Sequence, residues 1–189
     1  MKNYLLETEI IDYSDPAIIS LANDLKSDCK TELDIVEKCF IYVRDEIAHT
    51  GDIQSPYITM KASEVLKYKV GWCYAKSHLL AALLRYHKIP TGFCYQRLRC
   101  DEYTEDSFCL HGLNAVYLNE FGWYKIDARG NKEGVDAQCI PPDEKLAFTL
   151  QEGESNIDEV YDTPLNQVVK SLAQDYDEMI HNFPDIQEN

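Results

Sequence analysis

A chain of 189 residues, 45% hydrophobic and 11% aromatic, has the length and composition of one domain with a substantial core. Its 33 acidic residues against 18 basic ones leave a formal charge of −15, which argues against phosphate-backbone binding as the main task, because a nucleic-acid reader needs a basic footprint, though it leaves room for a local basic groove. No apolar run approaches the ~18–20 residues that cross a bilayer, and residues 1–7 lack the apolar region of a signal peptide. With seven cysteines in no tight framework and no Asn-x-Ser/Thr site, we expect a cytoplasmic protein with reduced thiols and no membrane contact.

The first helical signal begins at Ser14-Asp15-Pro16, capping residues followed by a helix-start proline, and carries Ile18, Ile19, Leu21, Ala22 and Leu25 as its stripe. Thr31 and Asp34 open a second helix in a capping-box pattern, continued by Ile35, Val36, Cys39, Phe40, Val43 and Ile47. Residues 49–60 read as a loop punctuated by Gly51 and Pro56, and 62–66 as a short helix. Cys73 then opens an apolar run in which Ala75, Leu79, Ala82, Leu83 and Tyr86 recur at helical spacing, predicting a buried helix over 73–86.

After Pro90 the pattern changes. Residues 91–100 read as a strand and 101–107 as an acidic, polar loop, most simply a solvated one, whose run 101–106 lies where it could overhang a cleft. Residues 111–118 and 122–127 read as a hairpin around Asn119-Glu120, 130–142 as irregular, and 163–181 as one closing helix. Helices, then an antiparallel sheet, then a closing helix describe an α+β fold within a single domain over 1–189. The role of the closing helix (core packing, lid or dimer element) and the oligomeric state stay open at this level.

The chemistry centres on Cys73. A thiol in the first helical turn faces unpaired backbone N–H groups and the positive end of the helix dipole, which favours the nucleophilic thiolate. Such a nucleophile needs a base, and the base needs an orienting group. A turn centred on Asn119 places His111 directly opposite Asp127, with Cβ atoms roughly 4.5–5.5 Å apart. In that register Leu113, Ala115 and Tyr117 share the face that borders the cysteine helix.

The stretches 71–85 (Gly71-Trp72-Cys73 and the helix after it), 88–92, 111–118 and 122–127 occur in the order that resembles the transglutaminase-like superfamily, within the papain-like group. The resemblance covers about residues 15–150. It implies a papain-like core in which N-terminal helices and the nucleophile helix pack on an antiparallel sheet. It also implies acyl transfer or hydrolysis at an amide through a thioester, with Cys73 as nucleophile, His111 as general base and acid, and Asp127 as orienting carboxylate. The implied substrate is a peptide, protein or small amide, with hydrolysis slightly favoured over cross-linking. The Cys73 amide is one oxyanion donor, Gln54 is a candidate for the second, and Trp72 is a candidate wall of the acyl cleft.

The family often continues its aspartate with a proline-threonine pattern, whereas Ala128-Arg129-Gly130-Asn131-Lys132 follows here. A surface carrying Arg129 and Lys132 suggests selection of an acidic acyl group. No cofactor is expected. No EF-hand-like loop suggests calcium, and Cys94, Cys100 and Cys109 with His111 lack the short Cys-x2–4-Cys spacing of zinc sites. Asp136 is the fallback carboxylate; His78 reads as a packing residue, and His49, His87 and His181 as surface or loop residues. Two other functions fit the same residues: a non-catalytic binding or scaffold module, and an oxidant sensor built on Cys73.

Overall fold

The computed structural model describes residues 1–100 and 107–186. The acidic run 101–106 expected beside the cleft lies outside the described residues. Helix α1 (Pro16–Lys26) is capped by Asp15, whose side chain accepts the amides of Ala17 and Ile18. Helix α2 (Glu32–Glu46) starts in the expected capping box of Thr31 and Asp34 and buries Val36, Cys39, Phe40 and Val43. The stretch read as a loop instead contains strand β1 (Ala48–His49) and a single helical turn, α3 (Thr50–Ile53). Helix α4 (Ala62–Tyr68) leads to strand β2 (Val70–Gly71), which pairs in parallel with β1. That pairing fixes His49 beside Gly71, two residues before Cys73.

Helix α5 (Cys73–Tyr86) is buried from Cys73 to Arg85 and packs against α1, α2, α4 and the sheet. Two charged side chains sit wholly inside. Arg85 donates to the carbonyls of Leu6, Thr91 and Asp162, stitching the N-terminal segment to the sheet. Lys76 donates to the carbonyls of Arg44 and Ile47 at the end of α2, where helix carbonyls lack intrahelical partners.

Strands β3 (Thr91–Arg99), β4 (Phe108–Leu118) and β5 (Gly122–Ile126) follow. A small ribbon of β6 (Gln138–Ile140) and β7 (Asp143–Lys145) comes next, and then β8 (Ser155–Tyr161). The main sheet is antiparallel in the order β5-β4-β3-β8. Strand β8 carries Asp158 and Glu159 on an exposed edge, which suits an edge strand but conceals it from a hydrophobic pattern search.

Two expectations are corrected. The closing helix is two helices, α6 (Asn166–Leu172) and α7 (Tyr176–His181), because the Asp175 side chain accepts the Glu178 amide and starts a new N-terminus. The hairpin turns about Glu120 rather than Asn119: Leu118 pairs with Gly122 and Asn114 with Ile126. His111 and Asp127 are therefore diagonal neighbours instead of direct opposites, and parity keeps them on one face.

The face itself is also the reverse of the expected one. Leu110 and Val116 join the main core, the Asn114 side chain donates to the Ser77 carbonyl of α5, and Gly112 abuts Tyr74. Leu113 and Ala115 pack with Cys94 in a separate cluster against Trp123, Leu146 and Val160.

Candidate active site

Cys73 is the first residue of α5, so its own amide belongs to the group without an intrahelical acceptor. It is 7% exposed, at the floor of a cleft of about 600 Å³. Trp72, His111, Arg129, Phe148 and Phe183 also line that cleft. The Gly112 amide donates to Cys73 Sγ at 3.4 Å. Only glycine allows this approach, because a Cβ at residue 112 would lie 2.8 Å from Tyr74 Cδ1 and 3.2 Å from its Cα.

The His111 ring bonds Asp127 Oδ2 through Nε2 at 2.7 Å, and Cys73 is near enough to favour charge on it. Asp127 is fully buried, and its carboxylate also accepts the amides of Arg129 (3.1 Å) and Ala147 (3.0 Å). Burial by itself would raise the Asp127 pKa, but His111 and the two amides hold it below the ordinary carboxylate range. Burial likewise opposes charge on His111, yet Asp127 and then Cys73 outweigh it and push its pKa up to about 10. Phe148 meets the imidazole edge-on at 4.9 Å and carries the Arg129 guanidinium at 5.7 Å from its ring centre.

The structure thus brings Cys73, His111, Asp127 and Trp72 together. Trp72 is buried, and its indole N–H has no partner among the described residues. Gln54 does not join them: it is the exposed, left-handed residue that ends α3 (φ 50°) and lies outside the cleft lining. Asp136 pairs with Lys145 at the exposed ribbon. His78 is buried against Phe93, with Nδ1 on the Met60 carbonyl. Cys94 lies in the cluster with Leu113 and Ala115, apart from the cleft that Cys100, Cys109 and His111 line.

His49 is not a surface residue. It is buried in the cleft wall, edge-on to Trp72 at 5.3 Å, and burial followed by Arg129 pushes its pKa well below normal, leaving it neutral. The basic pair after Asp127 is also occupied: Asp52 accepts a two-pronged bond from Arg129 (2.7 and 2.8 Å) and one from Lys132 (2.8 Å).

Residues 19–128 match the core of the transglutaminase-like superfamily. The chain belongs to that superfamily. A candidate cysteine protease from Cytophaga hutchinsonii shares the fold at a TM-score of 0.54 and 16% identity, over 67% of this chain and 40% of that one. The periplasmic domain of TgpA from Pseudomonas aeruginosa aligns at a TM-score of 0.48 and 18% identity, over 67% of this chain and 47% of that one. A structure described as a TGase aligns at 0.49 and 18%, over 72% and 37% respectively. The chain therefore spans less than half the length of each. No curated protein matches it.

Within this superfamily member, Gly112, which contacts Cys73, and the cleft residues His49, Phe148 and Phe183 were missed in the sequence. Gly112 has a signal, a glycine interrupting an apolar strand directly after a candidate base, which marks close backbone approach. His49 has none, because its burial depends on the two-residue β1–β2 pairing.

Proposed function

We propose that this transglutaminase-like chain is a thiol-dependent enzyme acting at an amide bond, by acyl transfer or hydrolysis. The observation that carries the reading is the buried cluster in which the Gly112 amide donates to Cys73 and His111 bonds Asp127, with both Cys73 and His111 lining one cleft. In the proposed reaction Cys73 sulfur attacks the amide carbonyl, a C–S bond forms, and negative charge develops on the oxygen. The Cys73 amide stabilises that charge, and the Trp72 indole N–H is the second donor we propose in place of Gln54. His111, protonated at the outset, delivers its proton to the departing amine as the C–N bond breaks. Neutral His111 then takes a proton from water or an acceptor amine, which attacks the thioester and restores the thiol site.

The test is the alkylation rate of every cysteine against pH in wild type and His111→Ala. Burial pushes Cys39, Cys94 and Cys139 up to about 12, so Cys73 should stand apart from them below pH 7 and lose its advantage in the mutant. Equal, slow rates in both proteins would replace catalysis with the binding-module reading. Given a fast Cys73, mass spectrometry of acyl-enzyme formed from peptide amides, with and without added amine, separates hydrolysis from transamidation.

A further inference from the structure

Strand β5 covers β4 only from Asn114 onward, so the stretch of β4 before it has an edge without a strand partner among the described residues. Amides of residues two apart leave a strand on the same side. On this edge the Gly112 amide points to Cys73 Sγ, and the Leu110 amide donates to the Pro184 carbonyl at 2.8 Å. Residues 182–186 therefore run beside β4 only roughly 7 Å, two strand residues, from the contact that holds the nucleophile.

Each of their anchors is of a kind that recognises peptides. Phe183 lines the cleft and meets the Trp72 ring edge-on at 5.2 Å, one residue before Cys73. Asp185 accepts a two-pronged bond from Arg97 at 2.8 and 2.9 Å. Arg97 is the cross-strand partner of Leu110, and its guanidinium lies 4.0 Å from the centre of the Phe108 ring, which holds the fork in place. A main-chain bond to an open strand edge, an aromatic wall and a guanidinium fork together make a β-augmentation site.

We propose that this edge is a peptide subsite, filled in the free protein by the chain's own residues 182–186. It takes an extended peptide with an aromatic residue against Trp72 and a carboxylate two positions later against Arg97. The inference rests on reading the cleft as an amide-acting site, and it names that site's substrate class. The Arg97–Asp185 pair is part-exposed on both sides, with side-chain exposures of 24% and 26%, so it is the anchor of the segment that an incoming carboxylate can reach. The segment is tethered, however, and competes at an effective concentration that reaches roughly millimolar for a short link.

The experiment uses a dye-labelled acetyl-Asn-Phe-Pro-Asp-Ile amide, its binding read by fluorescence anisotropy. The proteins are full-length wild type, Asp185→Lys and the charge-swapped Arg97→Glu/Asp185→Lys. Asp185→Lys should bind the peptide at least about tenfold more tightly than wild type, since the tethered competitor is weakened while Arg97 is kept. The charge swap should lower binding to the wild-type level or below it, since the internal pair is restored and Arg97→Glu repels the peptide carboxylate, and replacing Phe by Ala in the peptide should abolish the gain. Equal binding to all three proteins, or to none, overturns the proposal. Iodoacetamide labelling of Cys73 is followed in parallel. Slow labelling with the expected binding pattern leaves the subsite standing and removes the amide-acting reading; fast labelling without peptide discrimination removes the subsite alone.

Discussion

Asp127 grips His111 with a carboxylate that is itself held: Oδ2 accepts from the imidazole at 2.7 Å and from the Ala147 amide at 3.0 Å, while Oδ1 accepts from Arg129 at 3.1 Å. The imidazole is thus oriented by a group that has no freedom to follow it. Asp127→Asn keeps the shape but removes the charge that sustains imidazolium. The His111 pKa, about 10 in the wild type, should then fall, and Cys73 alkylation below pH 7 should slow by about tenfold or more. NMR titration of the His111 ring in both proteins checks the first statement. An unchanged titration would mean that Cys73 alone sustains the charge.

His111 and Lys76 pull the pH dependence of stability in opposite directions. The His111 pKa is raised from 6.5 to about 10, so its contribution is complete below 6.5 and is lost as pH rises through 10. Burial, and then Arg129, lowers Lys76 from 10.5 to about 7. Between those values the unfolded chain binds the proton that the folded chain has released, and stability grows with pH. The two slopes overlap from about 7 to 10 and offset each other in the wild type. His111→Ala should therefore gain stability with rising pH across that window, and Lys76→Met should lose it more steeply than wild type. Lys76→Met should also cost about 1–3 kcal/mol at neutral pH, because it leaves the Arg44 and Ile47 carbonyls without their donor. Urea midpoints at several pH values test both slopes.

Gly112→Ala should damage the site and the fold together. The added Cβ would stand 2.8 Å from Tyr74 Cδ1 and 3.3 Å from the Tyr74 amide nitrogen, so the start of α5 must shift. Overpacking of this kind costs about 1–3 kcal/mol. Since the same shift lengthens the amide contact to Cys73, alkylation of Cys73 should slow while Cys29, in the connection between α1 and α2, keeps its rate. Thermal denaturation and cysteine-resolved alkylation measure the two effects separately. A variant as stable and as reactive as wild type would show that α5 accommodates the methyl group freely.

How much of this was readable in the sequence depends on the range of the forces involved. Asp15 with Pro16, Thr31 with Asp34, and the periodic run from Cys73 to Tyr86 are local signals, and the corresponding helices begin where those signals place them. The pairing of His111 with Asp127 was legible because strand parity tolerates an error of two in register. The side of β4 that meets α5 was not. Both faces are apolar, and Asn114 and Gly112, the residues that touch the helix, carry no hydrophobic mark. Buried Arg85 and Lys76 were invisible for a related reason: their partners are backbone carbonyls, which every sequence has. Residues 182–186 gave no periodic signal, and their placement depends on contacts made far along the chain, among them the Leu110–Pro184 backbone bond, the Arg97–Asp185 pair and the Phe183–Trp72 ring contact.

Asp52 decides whether the cleft presents positive charge. In the folded chain it engages both Arg129 and Lys132, so its one negative charge offsets part of the basic surface that the sequence after Asp127 suggested for acidic substrates. Arg129 is 7% exposed, so Asp52→Ala leaves a guanidinium buried without its carboxylate. The Asp52 side chain is 28% exposed, which places the loss at about 1–3 kcal/mol rather than the larger cost of a fully buried pair. The freed charge should also change what reaches Cys73. Iodoacetate and iodoacetamide differ in charge at nearly equal size, and their rate ratio at Cys73 should move toward the anion by severalfold in Asp52→Ala. Salt should suppress that shift, since a freed surface charge is screened within about 8–10 Å at physiological ionic strength. A ratio identical in both proteins would show that Arg129 and Lys132 act on the architecture of the cleft and exert no field at its nucleophile.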